Sequence, residues 1–219
     1  MKNDPKPQSH LSALAVLFVF GTSFAHEDDP KASHVPIPNT IGAYTESDGP
    51  TQRNALGGIA EGVVLRSSIP LSGLGNANSG SDCWGYVSPS GREYALVTVY
   101  DGMFVYEITD PGSPQEVDFI SGPNSDWHDV KVYQDHCYVV SEGGQGIQVV
   151  SLANVDSGFV SLVNTVTTGG TTATHNVAID EDSGFLYRCG GGNNGLRIYS
   201  LSNPASPAYV GQWDTRYVH

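Results

Sequence analysis

The feature that most limits what this chain can fold into is an internal repeat. Residues 127–152 read as three short strands, Val130 to Tyr133, Cys137 to Ser141 and Ile147 to Leu152, with a glycine-rich turn at Gly143-Gly144-Gln145-Gly146. Setting Gly102, Gly146 and Gly195 in register aligns Met103 to Ile108 with Ile147 to Leu152 and with Leu196 to Leu201. Upstream, Trp84-Gly85-Tyr86-Val87, Trp127-His128-Asp129-Val130 and Thr174-His175-Asn176-Val177 open three units, and Tyr217-Val218-His219 reads as the opening of a fourth. Gly85, His128, His175 and His219 then follow one another at spacings of 43, 47 and 44 residues. A period in the forties with about four strands per unit is the range of propeller blades. The expected fold is all-β: a β-propeller of four-stranded antiparallel blades, an incomplete (truncated) ring of about three full blades near residues 83–120, 127–166 and 174–214. No sustained 3.6-residue apolar period is present after residue 25, so almost no helix is expected there.

Flanking this region, Lys2 and Lys6 precede an apolar run from Leu11 to Phe20, and Ser23-Phe24-Ala25 supplies the small residues of a cleavage site. Residues 1–25 therefore read as a secretory signal peptide, with an uncleaved anchor as the minor alternative. Residues 26–60 are polar and rich in Pro and Gly, and are expected to form an extended or poorly ordered arm ahead of a partial propeller over 61–219. Gly62 to Pro70 reads as a lone outer strand, resembling the strands expected to close each unit at Glu116 to Ile120, Phe159 to Val166 and Tyr209 to Trp213. The Gly/Asn/Ser-rich stretch from Ser72 to Asp82 reads as a mobile loop. Asp101-Gly102 is a hairpin signal, and Asp180 to Gly184 reads as a turn and not a calcium loop, since the acidic ligand of such a loop does not follow.

The formal net charge of −13 argues against nucleic acid or an anionic membrane surface as partner, because both require basic patches. No apolar span follows the signal peptide, so no membrane span is expected after cleavage. Three cysteines, Cys83, Cys137 and Cys189, fit no zinc ribbon or redox motif; buried thiols are favoured over a disulfide.

The stretch D-V-K-V-Y…Y-V-V-S-E-G-G-x-G-I-Q-V-V-S-L at 129–152, the segment T-H-N-V-A-I-D-E-D-S-G-F-L-Y at 174–187 and G-L-R-I-Y-S-L-S-N-P-A-S-P at 195–207 resemble the exported LVIVD-repeat proteins, and more narrowly the choice-of-anchor B family. The similarity covers about residues 60–219. It implies a propeller-like, secreted or cell-surface protein, with any anchor and the remaining blades lying beyond residue 219. It implies no activity and no cofactor.

Chemistry concentrates at the start of each unit. His128, His175 and His219, with Asp129 beside the first, sit on innermost strands, and a ring of imidazoles around a channel suits a divalent metal or acid–base work. Because the repeat sets the position, the favoured reading is a structural device in which each histidine ties its strand to the next blade; Gly85 interrupts the ring in the first unit. Trp84, Trp127, Asn176, Glu142, Arg188 and Arg197 are candidate channel or rim contacts, the last three also readable as plain surface charge. No H-E-x-x-H, G-x-S-x-G or Walker-type loop is present, and Gly190 to Gly195 joins two strands where a phosphate cradle would open onto a helix. Two functions remain open. The favoured one is an exported binding module for an extracellular protein, peptide or glycan; the alternative is a metal-dependent enzyme built on the histidines.

Overall fold

The computed structural model describes residues 51–53, 59–61, 65–75, 79–191 and 195–219 of the 219-residue chain. Residues 1–25, expected to be a signal peptide, residues 26–50 of the expected arm and residues 62–64 lie outside the described residues.

Twelve strands form three antiparallel four-stranded sheets in chain order. The first contains β3 (Gly80–Val87), β4 (Glu93–Val99), β5 (Gly102–Glu107) and β6 (Gln115–Ser121). The second contains β7 (His128–Tyr133), β8 (His136–Ser141), β9 (Ile147–Ser151) and β10 (Ser161–Val166). The third contains β11 (Asn176–Asp180), β12 (Phe185–Cys189), β13 (Leu196–Ser200) and β14 (Ala208–Trp213). Each sheet is a meander, so every strand pairs with its neighbour in sequence, and each fourth strand carries one irregularity in its pairing. Helix among the described residues is limited to single 3-10 turns at Leu71–Gly73 and Val155–Ser157.

The sheets stack face to face, with β3 running beside β7 and β7 beside β11. Between the first and second sheets lies a core of Leu96, Met103 and Val105 against Val130, Cys137, Val139 and Val150. Between the second and third, Tyr138, Ile147 and Val149 meet Val177, Leu186, Tyr199 and Leu201. Strand side chains alternate faces, so these two cores use opposite faces of the second sheet. Its strands are accordingly apolar on both sides, as β8 shows with Cys137 and Val139 in one core and Tyr138 and Val140 in the other. Burying apolar area at about 25 cal/mol per Å² makes these interfaces the main stabilising term. The far face of the first sheet is covered by the 65–75 segment, where Leu74 packs with Val99, Phe104 and Tyr106.

Three expectations need correction here. Residues 65–70 form no strand; the extended pairing upstream is instead a small hairpin of β1 (Thr51–Arg53) and β2 (Ile59–Glu61) inside the supposed arm. The supposed loop 72–82 contains the end of a 3-10 turn and the first three residues of β3. Among the cysteines all three thiols are free, but only Cys137 and Cys189 are buried; Cys83 lies exposed on an inner strand, since its side chain points away from the core that Trp84's neighbours fill.

The register glycines have one physical purpose. A Cβ at Gly102, Gly146 or Gly195 would strike the carbonyl oxygen of Ile120, Val166 or Trp213 on the outer strand, and Gly146 and Gly195 also hold left-handed φ of 78° and 83°. Gly146→Ala is therefore expected to cost roughly 2 kcal/mol or more in urea denaturation, whereas Leu162→Ala, at an exposed outer-strand position, stays within about 0.5 kcal/mol.

Candidate functional site

Strand pairing fixes which residues are equivalent. Trp84 lies opposite Leu96, Lys131 opposite Tyr138 and Ala178 opposite Tyr187, and these three pairs share one place in the ladder. Asp82, Asp129 and Asn176, each two residues earlier, are therefore counterparts, and His128 corresponds to His175. The register read from sequence was off in the first unit, where Trp84 was matched to Trp127 and Gly85 to His128. Its cause is the first hairpin: Tyr86 and Tyr94 pair across a long turn, Tyr133 and His136 across two residues. Gly80, not Gly85, takes the histidine's ladder position, pairing with Val99 as His128 pairs with Ser141, and Ser81 and Asp82 lie in the irregularity that follows it.

The first residues of β3, β7 and β11 open onto a cleft of about 610 Å³, lined also by Trp127, Cys189 and His219. Its floor is an ion cluster. Lys131 Nζ lies 2.5 Å from Asp129 Oδ1 and 3.0 Å from Asp82 Oδ2, and 4.5 Å from the centroid of the half-exposed Trp84 ring. Asp129 Oδ2 accepts the Val177 backbone N–H at 2.8 Å, and Asp82 Oδ2 accepts that of Val130 at 3.2 Å. Both bonds span 48 residues, from one sheet's inner strand to the next. Burial, and then the hydrogen bond with Asp82, push the Asp129 carboxyl up to about 6, against the pull of Lys131 and the Val177 N–H. For Asp82 burial pushes the same way, but hydrogen bonds from Asp129, Lys131 and the Val130 N–H outweigh it and hold the group below 3.8. Lys131 is raised: its burial cost is overcome by Asp129 and Asp82. The pair of carboxyls thus holds one proton more readily than two separated acids would.

The histidines share the cleft but not a common role. His175 donates its Nδ1–H to Glu142 Oε1 at 2.8 Å, and its ring lies 4.4 Å from that of His219 and 6.0 Å from that of Trp127, centroid to centroid. Glu142 belongs to the turn after β8, so this tie runs backward to the preceding sheet. His128 is buried with its ring against the 122–125 connection: the carbonyls of Pro123 and Ser125 face its nitrogens without reaching good hydrogen-bond geometry. Burial lowers its pKa despite those carbonyls and the charges of Asp101 and Asp126. Among the described residues no three His, Cys, Asp or Glu side chains are gathered as a metal would need. The forward ties between sheets, expected of the histidines, are made by Asp82 and Asp129.

Arg188 and Arg197 are neither rim nor surface groups. Both are buried, Arg188 at 2% exposure. Arg188 donates to Thr174 Oγ1, Tyr199 Oη and the carbonyls of Thr171 and Ala173, and Arg197 donates to the Gly169 carbonyl. They pin the connection between the second and third sheets by donating to its backbone carbonyls. Asp82 and Lys131, central to the cleft, were missed by sequence reading. The signal that would have found them is D-x-x at the same ladder position once hairpin length is allowed to vary.

The chain matches no known family model and no curated protein sequence.

A carboxyl pair of this kind has a measurable signature. In ¹³C NMR the Asp129 carboxyl is expected to titrate near pH 6 and that of Asp82 below 3.8, and Asp82→Asn should bring Asp129 down toward the ordinary value. The linkage runs in opposite directions. Asp129, raised on folding, adds stability as pH falls from about 6 through 3.8, while the contribution of Asp82 is lost as pH falls through its own depressed value.

Proposed function

We propose that the three sheets are successive blades of an exported β-propeller acting as a binding module, and that its ligand, an extracellular protein, peptide or glycan, docks at the inner-strand cleft. The observation that carries this reading is the convergence of three equivalent strand ends on one open cleft that presents Trp127, His175, His219 and the Asp82–Lys131–Asp129 cluster together. Aromatic rings beside hydrogen-bonding groups suit a sugar face or a peptide, and the pocket volume lies in the range of small-molecule sites. The signal-peptide pattern and the resemblance to exported LVIVD-repeat proteins of the choice-of-anchor B family support a secreted or cell-surface location. Among the described residues no helix is long and apolar enough to cross a membrane.

A metal-dependent enzyme is the second reading, favoured by one observation: the His175 and His219 rings lie side by side with Glu142 orienting the first. Side-chain rearrangement around that pair would have to bring a third ligand, such as Glu142 or the cleft-lining Asp129, to it.

Titration calorimetry against glycan and peptide panels, run in parallel with zinc and manganese, tests both. The binding-module reading expects an organic ligand whose Kd weakens at least about tenfold in Trp127→Ala with the circular dichroism spectrum unchanged. Micromolar metal binding that His175→Ala abolishes, together with a hydrolytic activity lost in the same variant, would overturn it in favour of the enzyme.

A further inference from the structure

Four rings form a row beside the inner-strand cleft. The centroids of Trp127 and His175 lie 6.0 Å apart, those of His175 and His219 4.4 Å, and those of His219 and Tyr217 6.3 Å. Neighbouring planes are tilted by 53°, 45° and 47°, so the rings make walls around a small group and no single flat platform of the kind a sugar ring covers.

Glu142 brings a negative charge to this row. Its Oε1 accepts the Nδ1–H of His175 at 2.8 Å; among the described residues its side chain makes no second hydrogen bond, and it is 19% exposed. With Nδ1 as donor, the Nε2 of His175 carries a lone pair and not a proton. Burial, and then the charge of Glu142, push the Tyr217 phenol up, so that ring stays neutral beside the carboxylate. In the cleft itself two aspartates stand against one lysine. Carboxylate charge and acceptor atoms are thus in excess, and what complements them is a cation that donates hydrogen bonds.

The same cleft already holds such a group. The Lys131 ammonium is bound by two carboxylates and stands 4.5 Å from the centroid of the Trp84 ring.

We infer that the row of Trp127, His175 and His219 with Glu142 binds the side-chain cation of a lysine or arginine presented by an extracellular peptide or protein, the cation standing against the Trp127 ring and donating to Glu142 Oε2. Attraction to an aromatic face adds to charge pairing only for a positively charged group, and a hydrogen bond to a carboxylate is stronger than one between neutral groups. The inference rests on the binding-module reading and narrows it to one ligand chemistry.

The test follows the Trp127 indole N–H by NMR while the chain is titrated with acetyl-Gly-Lys-Gly-amide, its arginine counterpart, its norleucine counterpart and chitotriose. The lysine and arginine peptides are expected to shift that resonance with a Kd at least about tenfold below that of the norleucine peptide, and to bind more weakly as salt is raised. Glu142→Gln should weaken the lysine peptide about tenfold, whereas Glu181→Gln, which removes the same charge from the exposed turn after β11, should leave its Kd unchanged. Equal binding of the lysine and norleucine peptides, a lysine Kd indifferent to salt, or a folded Glu142→Gln chain that binds as before overturns the cation site; the first two need no variant and decide the matter even where Glu142→Gln fails to fold. Absence of any shift with both cationic peptides also overturns it. In that case chitotriose, the norleucine peptide or a calorimetric panel member that binds at Trp127 leaves the binding module standing, and silence from all of them removes the module as well.

Discussion

The arrangement depends on a single type of bond: a carboxylate on one inner strand accepting the backbone N–H of the next. Without Asp129 the Val177 N–H would be left buried between sheets, at a cost of about 1–3 kcal/mol, while the Val130 N–H is shared between Asp82 Oδ2 at 3.2 Å and Asp129 Oδ1 at 2.8 Å. Apolar faces alone do not fix how far one sheet slides over another, because dispersion and burial are non-directional. The carboxylate bond is directional and sits at the edge where the inner strands meet. It sets the rise between sheets, and Leu96 against Val139 or Tyr138 against Leu186 follow from it.

That bond carries its own cost, and Lys131 meets it. Removing two carboxylates from water costs several kcal/mol apiece unless a cation is close. One ammonium group serves both Asp82 and Asp129 while standing 4.5 Å from the centroid of the Trp84 ring, so a single lysine neutralises the ties of two interfaces. The cleft is a consequence. Ion pairs of this kind need room for side chains that the tightly packed faces behind them lack, and the space they hold open is where Trp127, His175 and His219 meet.

How much of this could be read from the chain follows from the length over which each signal acts. Strands and turns are local, and β4, β5, β8, β9 and the glycines that face outer-strand carbonyls stand where alternation and Asp-Gly or Gly-Gly pairs put them. The outer strands were found because proline breakers precede two of them. The inner strands were placed correctly in the second and third units and four residues out in the first, since tryptophans at 84 and 127 gave a stronger local match than the true counterpart pair of Trp84 and Lys131. With that slip Ser81 and Asp82 dropped out of the site. The buried arginines were missed for another reason. An arginine bonded to carbonyls has no partner that composition reveals, and Arg188 finds its acceptors in Thr171 and Ala173 only after the connection folds back over β12.

The third unit shows how charge and packing are matched within the repeat. At the place of Lys131 it carries Ala178, so no cation stands beside Asn176. A carboxylate there, once covered, would be buried without compensation, which in the second unit is already enough to raise Asp129 to about 6 even with Lys131 at 2.5 Å. Asparagine in place of aspartate thus keeps an acceptor at this place without a charge to neutralise, whereas Asp82, whose own unit carries Trp84 at the lysine place, draws on Lys131 of the next sheet.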